Sequence, residues 1–543
     1  MSADGFSRRE LFKQGGLLGG ALALPGLLPA EAAEAAATKK PPVPAKVVTP
    51  AGVSLRIGPD IYESIGVRPI VNARGTFTIL SGSTMLPEVR EAMAAASQHY
   101  VHLDELAEAI GGRLATLTGA EWGLVTNGCS AALTHATAAC VAGGNPDLHV
   151  RLPNLDGFAK DEAIIPRHSR NVYDAALRAV GVRVVEVSTP AELEAAIGPR
   201  TALVYILAGP EVDESPLSTK VISQIAQARG VPVLVDAAAE ILTVPNVHLQ
   251  SGATLVAYSG GKCLRGPQAA GLLLGRKDLV KAAWVHSAPH HGVGRGYKVG
   301  KEEAIGMLMA VEMWMKRDHD AEWARWTSWI DHVAGRVSAI PGVTTAKVQP
   351  RSLSNRMPSL RVFWDRKKVG MAGDQVARAL FEGSPRVGVF PARNEADPAL
   401  TGVAVNPYMM APGDEKVVAD RLYALLTNPA RKEDVAPAAP AADVSGQWDV
   451  RIEYAAASAT HGLTLRQKGN DVEGAHRGDF LTRDLMGTID GDTVRFRSAI
   501  DQAGDAVNYT FNGKVTGDEM SGTLDMGEYL SGRWSARRKA RRG

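Results

Sequence analysis

Between residues 55 and 428, short apolar runs alternate with helix-patterned segments, and this alternation limits the fold more than any other feature of the chain. Runs of strand character are Leu124 to Thr126, Ala163 to Ile165, Val182 to Val187, Ala202 to Leu207, Val231 to Val235, Thr254 to Tyr258 and Gly271 to Leu274. Helical patterns lie between several of them, over Val172 to Val180 and Val221 to Arg229. A strand with one wet face alternates apolar and polar residues. These runs are nearly continuous in apolar residues, so both faces must be covered. Strands separated by helices predict an α/β fold with a mostly parallel sheet between helical layers.

The pattern then changes twice. Residues about 300–335 look helical, "SLRVFWD" reads as a strand, and "GDQVARALFEG" and "GDEKVVADRLYALLTN" read as helices. They predict a second, smaller α/β unit, giving a large domain over 55–310 and a small one over 311–428. The Pro/Ala-rich residues 429–445 read as a linker. Beyond it Trp448, Val450, Ile452 and Tyr454 alternate with polar positions, as do Leu463 with Leu465, Val494 with Phe496, and Tyr509 with Phe511. Turn sequences such as "KGND" and "DGD" separate them. Residues 446–543 are therefore expected to form an antiparallel sandwich or small barrel, ending in the basic, solvated tail "ARRKARRG". A chain of 543 residues needs more than one core in any case.

The N-terminus carries an address. "SRRELFK" precedes a Gly/Ala/Leu-rich run, Gly15 to Leu28, and Ala-x-Ala sites end at Ala32 or Ala35. A charged start, a short apolar core and a small-residue cleavage site predict a signal peptide over 1–35, followed by a linker over 36–54. The pair Arg8-Arg9 resembles the twin-arginine export signal, which implies a periplasmic or other extracytoplasmic location. The apolar run is short and glycine-rich for a permanent span, so the mature chain is expected to have no integral membrane segment. A net charge of +2 argues against a nucleic-acid partner. Cys129, Cys140 and Cys263, an odd and sparse set, give no disulfide framework.

Three segments carry chemistry. "YSGGKCLRGPQAAGLLLG" places Lys262 on a Ser-Gly-Gly turn after a strand. "VPVLVDAAAE" ends an apolar strand on Asp236. Both residues fall at the C-terminal ends of strands, where open α/β sheets bind ligands. A lysine and a carboxylate there suit pyridoxal 5'-phosphate: the lysine forms a Schiff base with the aldehyde, and the aspartate keeps the pyridinium nitrogen protonated. In "VTNGCSAALTHATAACVAG" a strand runs into a helix whose first residues, Gly128, Cys129 and Ser130, offer free N–H groups to a phosphate.

These segments resemble the selenocysteine-synthase-like branch of fold-type-I pyridoxal-phosphate enzymes. The cofactor-lysine segment carries the likeness, with "VRPIVNARGTFTILSGSTMLPEVREAMAAASQHYVHLDEL", "LTGAEWGLVTNGCSAAL", "PRHSRNVYDAALRAVG", "VLVDAAAE" and "GRGYKVGKEEAIG" in the same order. The subgroup is that of D-glucosaminate-6-phosphate ammonia-lyase-like proteins, and the likeness spans about residues 55–428. It implies a large cofactor domain, a small domain and active sites at a homodimer interface. It also implies Lys262 as the Schiff-base lysine, Asp236 as the pyridinium partner, and Gly128, Cys129 and Ser130 as the phosphate cradle. Ser259 is a further phosphate-binding or lysine-orienting candidate. His168 either stacks on the ring or is an ordinary loop histidine. Arg74 and Arg386 either bind a substrate carboxylate or are structural. Lys298 either reaches the neighbouring subunit's phosphate or lies in solvent. Glu240 departs from the family pattern, where glutamine is frequent. Cys263 reads as a packed thiol, and the histidines of "HSAPHHG" lack an accompanying ligand set, so no metal is expected.

The expected function is that of an exported pyridoxal-phosphate enzyme acting on an amino acid or amino sugar acid, a lyase working by α,β-elimination. Transamination, racemisation and aldol cleavage are the alternatives within the same chemistry. The alternative of another class is an inactive scaffold or an envelope ligand-binding protein.

Overall fold

The computed structural model describes residues 55–429, 437–502 and 504–540. The signal peptide and first linker expected over 1–54 lie outside the described residues. So do the positions 430–436 of the second linker. The chain divides into two compact units, with the boundary in the sequence near residue 432.

In the first unit seven strands form one sheet: β1 (Trp122–Thr126), β2 (Glu162–Pro166), β3 (Arg183–Val187), β4 (Thr201–Leu207), β5 (Val233–Asp236), β6 (Leu255–Ser259) and β7 (Gly271–Gly275). Their order is β1-β7-β6-β5-β4-β2-β3. All pairings are parallel except the two made by β7, which is antiparallel to both β1 and β6. The seven runs read from sequence are these seven strands.

The apolar continuity of the runs follows from the two-sided burial. Val204, Ile206, Val233, Val235 and Val256 pack on one face. Leu203, Tyr205, Leu234, Leu255 and Ala257 pack on the other. The second face is covered by helix α1 (Gly128–Ala142), buried along nearly its whole length. A helix buried all round needs no polar stripe. Its alanines let it approach the sheet closely, and Cys129 and Cys140 are both buried on it as free thiols. Asp236 lies two residues after Leu234, so the period of two turns it to the α1 face.

Helix α2 (Lys301–Lys316) adds Met307, Val311 and Trp314 to the first core. Helix α3 (His319–Val337) instead packs Trp329, Ile330, Val333 and Val337 against the small domain. The change of core therefore falls at Arg317 and Asp318, a few residues beyond the position read from sequence. The small domain is a four-stranded antiparallel sheet, β8 (Val343–Val348), β9 (Ser359–Asp365), β10 (Phe390–Arg393) and β11 (Leu400–Val405), in the order β10-β11-β9-β8. Helices α4 (Gly373–Glu382) and α5 (Asp414–Thr427) complete its core. The N-terminal residues Val71 and Asn72 pair in parallel with Val387 and Gly388, which ties the start of the unit to the small domain.

The second unit is a closed barrel of eight antiparallel strands: β12 (Gly446–Glu453), β13 (Ser458–Lys468), β14 (Asp471–Arg477), β15 (Thr482–Asp490), β16 (Thr493–Gln502), β17 (Asp505–Thr516), β18 (Glu519–Asp525) and β19 (Ser531–Arg538). Each pairs with its sequence neighbour, and β12 closes on β19, with Trp448 opposite Arg538. Closure leaves no free edge to aggregate. Part of the stretch read as linker belongs to this unit. Val444 is fully buried in the barrel core and its carbonyl accepts from the Trp448 indole at 2.9 Å. Among the described residues no helix is long and apolar enough to cross a membrane.

Candidate active site

The Gly-Gly pair before Lys262 is required by the loop itself. Gly260 donates to the Ala270 carbonyl at 2.8 Å, Gly266 to Gly260 at 2.9 Å and Arg265 to Lys262 at 2.9 Å, closing a tight loop between β6 and β7. A Cβ on Gly260 would lie 2.8 Å from the Ala270 oxygen and from the Met307 sulfur, and one on Gly261 would lie 2.8 Å from Gln268 Cα. Neither position has room for a side chain. A second strap holds the loop from the N-terminal side: Ser83 donates to the Gly261 carbonyl at 2.9 Å, and the Arg265 guanidinium to that of Thr84 at 3.0 Å. Lys262 leaves this clamped loop with its side chain half-buried.

Asp236 is buried at the end of β5 and each of its oxygens is held. Oδ1 accepts from the Ala238 amide at 3.0 Å and from the Cys129 thiol at 3.6 Å. Oδ2 accepts from the Tyr205 hydroxyl at 3.0 Å, which in turn accepts from the Asn171 amide at 3.2 Å. Burial pushes the Asp236 carboxyl above the usual carboxylate range, against the Ala238 amide, the Lys262 charge and the Tyr205 and Cys129 bonds, which pull it down. Burial first, then the Asp236 charge, push the Cys129 thiol well up, so it remains a donor.

Cys129 links this carboxylate to the N-terminus of α1. Gly128 opens that helix with φ +75°, a left-handed conformation that favours glycine. No side chain caps the helix: Asn127 turns its amide away, to the Lys298 carbonyl at 2.8 Å. The first-turn N–H groups are therefore left for another acceptor, with the exposed Ser130 beside them. Gly271 at the start of β7 lets the sheet edge touch this turn, since a Cβ there would stand 2.3 Å from the Gly128 carbonyl carbon.

These residues fit pyridoxal phosphate. A buried carboxylate with organised donors lacks only a cation against it, which a protonated ring nitrogen provides. An uncapped helix N-terminus lies next to it for the phosphate, and an amine stands close enough for its charge to act on both Asp236 and Cys129.

Other candidates fall at the margins of this cluster. His168 sits just after β2, its Nδ1 at 3.0 Å from the Ser169 hydroxyl, its Nε2 buried without a partner. Burial lowers its pKa. Ser259 ends β6, half-buried. Arg74 lies over the Phe390 ring at 4.4 Å and near Phe77, with a buried Nε that has no partner. Arg386 lies over Phe381 at 4.9 Å and likewise has an unpartnered Nε. Both arginines thus flank the junction where Val71 pairs with Val387. The Lys298 side chain is exposed. Glu240 is buried, with His248 Nε2 at 2.6 Å from its carboxylate. The Cys263 thiol donates to the Glu240 carbonyl at 3.1 Å, and burial pushes it up to about 11, a packed thiol.

Sequence reasoning missed Tyr205 and Asn171, and it missed Tyr408. The Tyr408 hydroxyl accepts from the Thr76 amide at 3.1 Å and lies 3.1 Å from the Asn355 amide oxygen, fastening the N-terminal strap to the small domain. A hydroxyl inside the otherwise apolar run "TALVYIL" was the available signal for Tyr205. A cleft of about 1320 Å³ opens beside the lysine loop, lined by Ser83, Cys263, Arg265, Gln268, Asn355 and Tyr408 among others. Lys262 and Asp236 are not among its walls, so the chemistry is placed by the buried cluster and the cleft marks the neighbouring space.

Residues 168–357 match the family model described as aminotransferase class-V. D-glucosaminate-6-phosphate ammonia lyase of Salmonella typhimurium (strain 14028s / SGSC 2262) is 30% identical over 373 residues, 67% of this chain and 97% of that protein. A 5'-C-glycyluridine monooxygenase-decarboxylase of a Streptomyces species is 31% identical over 377 residues, 67% of this chain and 92% of that protein. A solved structure of D-glucosaminate-6-phosphate ammonia-lyase superposes with a TM-score of 0.61 at 29% identity, covering 69% of this chain and all of that one.

Proposed function

Because this chain belongs to the class-V aminotransferase family of pyridoxal-phosphate enzymes, with an ammonia lyase among its relatives, we propose that it is a lyase that removes a β-substituent and ammonia from an amino acid or amino sugar acid. The observation that carries the reading is Asp236, buried and held by Tyr205, Cys129 and Ala238 at the foot of an uncapped helix.

When bound, pyridoxal phosphate supplies the electron sink for charge that develops at the substrate Cα. The residues do the rest. The amides of Gly128, Cys129 and Ser130 would hold the phosphate, with Ser259 as a further partner. Asp236 would keep a proton on the ring nitrogen, and Tyr205 and Cys129 fix the carboxylate that does so. Lys262 anchors the aldehyde end. With a substrate in place of the lysine on the cofactor, the Lys262 amine would accept the Cα proton as a general base. The β-substituent leaves with its bonding pair, and water releases the nitrogen as ammonia with a keto acid. Arg74 and Arg386, each with an unpartnered Nε, suit a substrate carboxylate, and His168 suits the ring face.

The two relatives named above carry out different reactions on similar frames, so the test must separate reaction types. Amino acids and amino sugar acids are offered to the loaded enzyme without a keto-acid acceptor. Ammonia and keto acid in equal amounts, with no oxygen consumed, are the expected products. Turnover only with an added keto-acid acceptor, or only with oxygen uptake, would overturn elimination.

Export and self-association belong to the same proposal. Arg8-Arg9 ahead of an apolar run supports the twin-arginine route to the periplasm, and the family likeness supports a homodimer. The parent protein is expected in the periplasmic fraction, with a light-scattering mass of two chains. An Arg8→Lys, Arg9→Lys variant is expected to stay in the cytoplasm. Unchanged export of that variant, or a single-chain mass, would contradict the respective part.

A further inference from the structure

The cleft beside the lysine loop has one wall whose residues take no part in the cluster around Asp236. It is an arc of aromatic rings. Trp314 lies in the last turn of α2, Trp323 and Trp326 lie early in α3, and Tyr408 follows β11. The Trp323 and Trp326 ring centroids are 6.5 Å apart, and Trp326 meets Tyr408 edge-on at 6.3 Å. A spacing of three puts Trp323, Trp326 and Trp329 on one side of the helix. Trp329 is buried in the small-domain core, whereas Trp323 and Trp326 are only half-buried and line the cleft. Half-buried indoles on a concave wall leave apolar surface that a ligand ring can cover.

Short contacts tie both ends of this arc to the loops that carry the chemistry. Arg317 donates to the Cys263 carbonyl at 2.9 Å and stands over the Trp314 ring at 5.0 Å. It also holds Glu322, the residue before Trp323, through two bonds of 2.8 Å. Cys263 directly follows Lys262. At the other end the Tyr408 hydroxyl donates to Asn355 Oδ1 at 3.1 Å. The Asn355 amide donates to the Ala239 carbonyl at 2.8 Å, three residues beyond Asp236. The arc is thus fastened to the lysine loop at one end and to the aspartate loop at the other.

The polar groups of the cleft nearest these rings are engaged. Glu322 is held by Arg317. Arg265 gives Nε and Nη2 to Thr84 at 3.0 and 3.2 Å, and Asp414 accepts from the Ala411 amide at 2.7 Å. An open-chain polyol needs a partner for each hydroxyl it takes out of water, and this wall offers rings instead. The volume of about 1320 Å³ exceeds what a three-carbon amino acid fills; pockets for drug-sized ligands run to about 300–1,000 Å³. We infer that the cleft seats the β-substituent of the substrate, and that this substituent carries an aromatic ring packed against Trp323 and Trp326. The inference rests on the lyase reading and narrows it to an amino acid with an aryl-bearing leaving group. In the elimination the bond from Cβ to the leaving atom breaks, its electron pair stays on that atom, and the atom takes a proton. One water then enters and the nitrogen leaves as ammonia. S-benzylcysteine would give phenylmethanethiol, pyruvate and ammonia.

The test uses the loaded full-length protein and separates binding from turnover. Binding is read by isothermal titration with norvaline and δ-phenylnorvaline, each in both enantiomers. They differ only by the ring and have no leaving group. Turnover is read as thiol, pyruvate and ammonia from S-methylcysteine and S-benzylcysteine. The phenyl compound is expected to bind at least about tenfold tighter than norvaline, since burial of the ring and its aromatic contacts contribute that factor. Trp323→Ala and Trp326→Ala should each reduce this ratio by about three- to tenfold. Trp323 lies outside the small-domain core, so its variant reports even where Trp326→Ala does not fold. Equal affinity for the two norvalines, or an undiminished ratio in the folded variants, would overturn the inference. So would a single-chain mass for Trp323→Ala beside a two-chain mass for the parent, which would make the arc a contact between copies. Ring-dependent binding without release of thiol or ammonia would remove the lyase reading and leave the ring site standing. Equal affinity for the norvalines with equal turnover of both cysteine derivatives would do the reverse.

Discussion

Replacing Lys262 by alanine is expected to lower turnover by at least about 10³-fold, because one side chain both anchors the cofactor and moves the Cα proton. A positioned general base alone contributes about 10²–10⁴-fold, and loss of the covalent anchor adds to it. The visible absorption band of the lysine-bound cofactor should vanish in the same variant. Stability should change little, on the order of 1 kcal/mol or less, because the loop is held by backbone bonds from Ala270, Gly266 and Ser83 and not by the lysine side chain. Wild-type turnover by a folded Lys262→Ala protein would remove the lysine from the chemistry.

Asp236→Asn is expected to produce the second-largest loss. The amide keeps the shape and can still accept from Tyr205, so the fold should persist. It cannot balance a positive ring nitrogen. An opposite charge at close range raises a partner's pKa by about 1–3 units. Its loss should cut the protonated fraction, and turnover with it, by about 10- to 10³-fold at neutral pH. The pH profile distinguishes this from simple damage: the remaining activity should rise as the pH falls, because acid restores the ring proton. A loss of equal size at every pH would assign Asp236 a structural role.

The sheet was legible because its strands are buried on both faces, which leaves unbroken apolar runs such as Ala202 to Leu207. The placement of Lys262 and Asp236 at one sheet edge was legible because Asp236 ends one apolar run and Lys262 follows the end of the next. The antiparallel sense of β7 was not, since an apolar run of five residues reads alike in either direction. Tyr205 was missed for a related reason: its hydroxyl stands out in the apolar run, but its partner lies 31 residues away, so the run does not say which group the hydroxyl faces. The change of core at Arg317 was blurred because both flanking helices are amphipathic, so the pattern runs on through the break. Barrel and sandwich share the alternation of Trp448, Val450 and Ile452. Only the pairing of β12 with β19, some ninety residues apart, separates them, and that pairing is not a local property. Arg74 and Arg386 carry no sequence mark that distinguishes a ligand arginine from a structural one, and their unpartnered Nε atoms are a feature they share with Arg378 and Arg421.

The most direct test of the account is to reduce the loaded protein with borohydride, digest it and locate the modified lysine by peptide mass. The account predicts a single pyridoxyl group on the peptide carrying "SGGKCLR", at Lys262. Modification of another lysine, or none on that peptide in a protein that shows the visible band, would contradict it.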